Sequence, residues 1–230
     1  MRTQQERITT QRTDPPAIVR VGGRAGLIGP ALFTVGLLAQ IVLRREEFDP
    51  ISEPMSGLGA GPQGWIQGVN FFVFGILTLL FAAGLHRALA PSRLGWIGPG
   101  LLAVTGLGPL WGVVFPLQRD ESGVLFDRGM HGVGGTMYFA VGTLAVLAII
   151  PRLRHDPQWR SLVPYTAIVG LLLVLTIPIM TVLTIPAEAP LHNQLGLNQL
   201  AIILTLRFPW QMIMASHMIR TTNDPAPNRS

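Results

Sequence analysis

Long apolar stretches alternate with short polar ones along the whole chain. Six of the apolar stretches approach 20 residues: 25–43, 65–85, 95–115, 129–150, 162–185 and 195–219. A helix of about 20 apolar residues crosses the ~30 Å hydrocarbon core of a bilayer, and only a helix or a closed barrel satisfies its own backbone there. The pattern predicts an all-α polytopic membrane bundle of six transmembrane helices, covering 25–219. It is flanked by a polar, arginine-rich arm (1–24) and a short tail (220–230). A basic arm before an apolar run resembles a secretory signal. This run, however, is long and leads into Arg44, Arg45 and Glu46 without a small-residue cleavage pattern, so it is expected to be an uncleaved first span. Pro30, Pro109, Pro178 and Pro209 fall inside spans and predict kinks, while Gly108 and Gly112 form a small-xxx-small pair for close helix packing.

Composition agrees with that pattern. Charged residues make up 13% of the chain and hydrophobic residues 49%, whereas soluble domains carry about 25% charged. There is no cysteine, which excludes disulfides and thiolate metal sites, and all 17 basic residues are arginine. Twelve arginines fall in the arm, the loops near 87–93 and 152–160, and the tail. Four fall on the opposite side (Arg44, Arg45, Arg119, Arg128), and Arg207 lies inside the last span. By the positive-inside rule both termini are cytoplasmic, in a multi-pass protein of the cell membrane. Eight of the 12 acids map to the outer side, which makes that face acidic. The net charge of +5 does not imply nucleic acid as a partner, because the arginines sit at segment ends and form no patch interleaved with aromatics.

Candidate chemistry gathers on the outer half. The first outer loop carries Asp49, Ser52, Glu53 and Ser56 ahead of "GLGAGPQGW". Ser52 is expected to cap a short turn with Pro54 early in it and Gly57 ending it. His131 opens the fourth span in "FDRGMHGVGG", and His192 lies in "PAEAPLHNQLG", whereas His86, His155 and His217 map to the inner side. His131 and His192 are expected to meet above the bundle, with Asp120 or Asp127 as a carboxylate neighbour. His131, His192 and Asp120 would supply ligand types suited to zinc, but no HxxxH or HExxH spacing presets two ligands on one helix. Arg207 sits 12 residues into its span, about 18 Å deep. A buried arginine costs at least ~2.5–3.5 kcal/mol. It should therefore face Asn198, Gln199, Asn70, Gln67, carbonyls freed by proline or an anionic ligand, or else snorkel to the inner headgroups.

The acidic-Pro-hydrophobic-Ser start, "SGLGAGPQGW" and the asparagine after it resemble the first outer loop of an uncharacterised prokaryotic family of six-span membrane proteins, domain of unknown function 998. "GVVFPLQRD" and "MHGVGG" continue the resemblance, which covers about residues 25–220. One departure is that Gln199 is followed by Leu200, where a Gln-Arg pair is expected, and the arginine lies deeper, at Arg207. The resemblance implies the six-span topology and marks Ser52, Ser56, His131 and the Phe115-Pro116 turn, but implies no activity. A looser likeness is to seven-span membrane hydrolases of the alkaline ceramidase type, which use Ser, Asp and His around zinc. This chain lacks their paired helical histidines and one span.

The leading expectation is a protein without enzymatic activity or cofactor that binds a membrane lipid or small amphiphile at an outer-face site, in an accessory or permease-like role. Asp49, Ser52, Glu53, Ser56, His131, His192 and Arg207 are its candidate ligand-binding residues. The alternatives are a zinc-dependent lipid hydrolase and a purely structural membrane partner.

Overall fold

The computed structural model describes residues 17–89, 95–184 and 192–223. Six helical stretches follow one another: α1 (Ala17–Leu43), α2 (Gly64–Ala88), α3 (Ile97–Val114), α4 (His131–His155), α5 (Val163–Thr184) and α6 (195–223). Among the described residues five helices, α1 to α5, are long and apolar enough to cross a membrane. The last helix is long enough, but Asn198, Gln199, Arg207 and Gln211 dilute its apolar content. Large apolar side chains also point away from the bundle, as in the outward stripe of Ile28, Leu32, Val35 and Val42 on α1. A helix apolar on both its packed and its outward face is suited to lipid, and this is a membrane protein with several spans. Trp65 is exposed at the start of α2 and Trp96 just before α3, and the 25 residues of α2 run about 37 Å. That spacing suits the two aromatic belts of a bilayer.

Each helix packs against the next in the chain, and α6 closes back on α1. Three helix pairs approach glycine against glycine. A Cβ on Gly22 would lie 2.7 Å from the Cα of Gly84, one on Gly75 would lie 2.8 Å from the Gly106 carbonyl, and one on Gly108 would lie 2.7 Å from the Gly134 carbonyl. These three crossings join α1 to α2, α2 to α3, and α3 to α4. Removing side chains there brings backbones into dispersion contact, which lipid-exposed helices need because lipid tails compete equally for apolar surface. Gly108 thus does what the sequence expects of it. At its partner Gly112 a would-be Cβ would meet the Phe71 ring at 3.5 Å and His131 at 3.7 Å.

Two clusters fill the interior. One, with Phe81, Leu85, Trp159, Met214 and Met218, lies in the half nearer the α2–α3 and α4–α5 connections. There Arg152 is buried and donates to the carbonyls of His86, Leu89 and Gly95, tying α4 to the end of α2. The other cluster joins Phe33, Leu37, Phe74 and Phe208 to Phe48, Met55 and Leu58 of the α1–α2 loop. The loop is therefore folded onto the bundle as part of the core.

Two helices contain π segments, Met137–Val141 in α4 and Ile203–Arg207 in α6. Such single-turn widenings carry an extra residue and free a carbonyl from the regular ladder.

Candidate functional site

Two connections, α1–α2 and α3–α4, meet the start of α6 at one end of the bundle. Asp49 starts the first. Its Oδ1 accepts the Ile51 N–H at 3.0 Å, its Oδ2 accepts the Ser52 hydroxyl at 2.6 Å, and its carbonyl accepts the Glu53 N–H. These bonds hold the Asp49 carboxyl below the usual range, the Ser52 hydroxyl contributing most. The 3₁₀ turn that follows spans Met55–Gly59, with Pro54 before it and no side-chain cap. Ser52 is thus not the cap expected from the sequence. Asp49 organises the loop and Ser52 serves it.

The turn is then clamped from three sides. Arg44, 4% exposed at the end of α1, donates to the carbonyls of Leu58 (2.6 Å) and Ala60 (3.0 Å). Arg119 forms a two-bonded ion pair with Glu53, and both side chains are about one-fifth exposed. Arg119 sits on a small antiparallel hairpin, β1 (Gln118–Arg119) with β2 (Leu125–Phe126). The hairpin turn is held by Asp120, whose Oδ1 accepts Ser122 N–H, Ser122 Oγ–H and Val124 N–H, and Gly123 closes it at φ +83°. From α6, the Gln199 side-chain oxygen accepts the Met55 N–H, and Leu197 N–H donates to Ile51.

Beneath the turn lies a cavity of about 320 Å³. Its walls are mostly aromatic and apolar, with Phe33, Phe71, Phe74, Tyr138 and Phe139 prominent among them. Its polar lining consists chiefly of Ser56, Asp127, His131 and Gln199. Grooves on two flanks share lining residues with it: Ser56, Phe71 and Gly112 on the α2–α3 side, and Gly132, Gly135 and Phe139 toward α5 and α6.

His131 is fixed in one tautomer. Its Nδ1 lies 2.8 Å from the Phe115 carbonyl oxygen, which only accepts, so Nδ1 carries the proton. In the neutral ring Nε2 is left with a lone pair and no hydrogen bond among the described residues. Asp127 caps the start of α4, its Oδ1 accepting the N–H of Gly129 and His131 and its Oδ2 that of Gly132, all at 2.9 Å. Partial burial pushes this carboxyl up, but the three backbone donors and the His131 ring outweigh that and leave it below the usual range.

Arg207 is 7% exposed, so it is packed in the protein and does not snorkel. One guanidinium nitrogen, Nη2, donates to the Tyr138 carbonyl at 2.9 Å, and Cζ stands 4.8 Å from the centre of the Tyr138 ring. The guanidinium lies on Gly142, where any Cβ would collide with it. The two π segments thus meet at this contact, a carbonyl of one receiving the cation at the end of the other. Nη1 is buried without a hydrogen-bond partner among the described residues. Three of the partners expected from sequence bond elsewhere: Gln67 accepts from Gln40 (2.8 Å) and Asn70 (3.3 Å) between α1 and α2, and Gln199 accepts from Met55.

Of the seven candidate site residues, Ser56 and His131 line the cavity. Asp49, Ser52 and Glu53 stand behind it and shape the turn, and Arg207 lies against one of its walls through Tyr138. His192 begins a 3₁₀ turn, and its side chain lies outside the described residues. A zinc set of His131, His192 and Asp120 therefore rests partly outside them. Among the described residues no three His, Cys, Asp or Glu side chains group to hold a metal, and Asp120 is committed to its own turn. The sequence alone does not point to Arg44, Arg119 and Gln199 in these roles. An arginine directly after a span and a glutamine early in one were the available signals.

No curated protein and no solved structure matches the chain. The sequence model of a family described as "Protein of unknown function (DUF998)" matches residues 27–216, nearly the whole helical bundle, and the chain belongs to that family.

Proposed function

We propose that the chain is a six-span protein of the cell membrane, with both termini cytoplasmic, that binds a lipid or small amphiphile at its outer end. In this reading α6 is the sixth span, and the clamped 3₁₀ turn is the outer lid. The protein acts as an accessory or permease-like component and not as an enzyme. The arginine bias toward the opposite end supports the orientation.

The observation that carries the reading is the aromatic cavity enclosed by a turn with three separate anchors. A loop needed only to join two spans requires no buried arginine, no ion pair to a distant hairpin and no space beneath it. The volume stands at the lower end of the ~300–1,000 Å³ typical of ligand pockets. That suits one chain or a small amphiphile better than a whole two-chain lipid. The flanking grooves offer routes from the bilayer on either side.

Alanine substitution at Ser56 and His131, scored for co-extracted lipid by mass spectrometry and for zinc by elemental analysis, tests this. Reduced lipid with unchanged folding is expected. Stoichiometric zinc that disappears in His131→Ala would favour the hydrolase instead, and unchanged lipid in both variants would favour a structural partner. Because the chain lacks cysteine, single cysteines at Glu121 and Arg154 report sidedness cleanly. An impermeant reagent should label the first in intact cells and the second only after permeabilisation.

A further inference from the structure

The cavity's chemistry restricts what it accepts, and this inference rests on the amphiphile reading above. Among the described lining residues, Asp127 is the only one with a formal charge, and no arginine reaches the lining. Its Oδ1 accepts two backbone donors and its Oδ2 one. A carboxylate offers about four acceptor positions, so Oδ2 keeps one open. His131 adds a second acceptor through Nε2, since its Nδ1 proton is spent on Phe115.

Five aromatic rings line the remainder, and their faces carry the negative part of the ring quadrupole. The surrounding end of the bundle is acidic as well. Seven carboxylates (Glu46, Glu47, Asp49, Glu53, Asp120, Glu121, Asp127) stand against four arginines in the described residues of 44–63 and 115–130. Two of those arginines, Arg44 and Arg119, are tied into the clamps. An anionic head would meet a carboxylate and no cation. Arg207, although close to the Tyr138 wall, is buried behind it and leaves its charge out of the lining. Its position disfavours a cation deep in the cavity and leaves the Asp127 rim as the place for one.

We infer that the cavity selects a cationic single-chain amphiphile, with an ammonium head at Asp127 and His131 and an apolar chain running toward Phe74 and Tyr138. Full-length protein in a nonionic detergent, examined by native mass spectrometry, would be offered three amphiphiles of equal chain length in competition. These carry a primary ammonium, a sugar and a sulfate head. The ammonium compound should bind about tenfold more tightly than the sugar compound, as expected for one rim ion pair together with ring contacts, and the sulfate compound should bind most weakly. Asp127→Asn keeps an amide oxygen to cap α4 and should reduce the ammonium preference severalfold.

Raising salt should weaken the preference in the unmodified chain in the same direction, a readout independent of whether the variant folds. Equal binding of all three heads would overturn the charge selectivity and leave the amphiphile site standing. Tightest binding of the sulfate compound would overturn the selectivity too. Failure of all three to bind would overturn both readings.

Discussion

Asp127 illustrates how one side chain shapes both the site and the helix that carries it. Its carboxylate replaces the missing cap of α4 and, through the His131 N–H, sets the position of the imidazole at the cavity. Because its folded pKa is depressed, the stability it lends is complete above the unfolded carboxyl value of about 3.9 and is lost as pH falls through the lower folded value. Hydrogen exchange at His131 and Gly132 should therefore show the same protection at pH 7 and pH 5, with loss only below about pH 4. Arg207 is the other decisive residue. It has one carbonyl bond, one ring contact and one unmatched nitrogen. The desolvation of that nitrogen, about 1–3 kcal/mol, nearly offsets what the bond and ring contribute, so Arg207→Met should change thermal stability by no more than about 1 kcal/mol. A much larger loss would show a partner that the described residues do not supply. From the sequence, Ser56 and His131 could be picked out because they stand at a turn and at a helix start. Arg44, Arg119 and Gln199 could not, because their partners are mainly backbone carbonyls and amides, which no residue code reveals.

Helices are the scale at which the chain is most readable. The spans expected from apolar runs coincide with helices, since length and hydropathy alone decide a helix in lipid. α1 nevertheless starts at Ala17, well before the apolar run, because Arg20 and Arg24 stand on exposed positions of the same helix. The π segments and the Gly22/Gly84 and Gly75/Gly106 crossings were not legible, because each is defined by a partner helix. The α3–α4 crossing is sensitive to change. A Cβ at Gly134 would press within 2.8 Å of the Gly108 carbonyl, so Gly134→Leu should destabilise by at least the ~1–3 kcal/mol of overpacking. Gly135, one residue on, has open space at its Cβ position, and Gly135→Leu should leave the thermal midpoint nearly unchanged.

For the whole molecule, the contrast is between two ends. One end is closed by Arg152 and a packed core around Trp159. The other keeps an aromatic space under a lid that is fastened to α1, to the hairpin and to α6. Composition revealed the membrane and the acidic face. The cavity depends on how five helices and two loops converge, and no local pattern encodes its volume.

The central claim is that this space holds an amphiphile, and Gly135 gives the means to test it, since a leucine there enters a cavity wall without disturbing a helix contact. Native mass spectrometry of gently purified protein should show a bound single-chain adduct on the unmodified chain and its loss in Gly135→Leu at equal thermal stability. An unmodified chain that carries no adduct, or an adduct of equal occupancy in both proteins, would contradict the account.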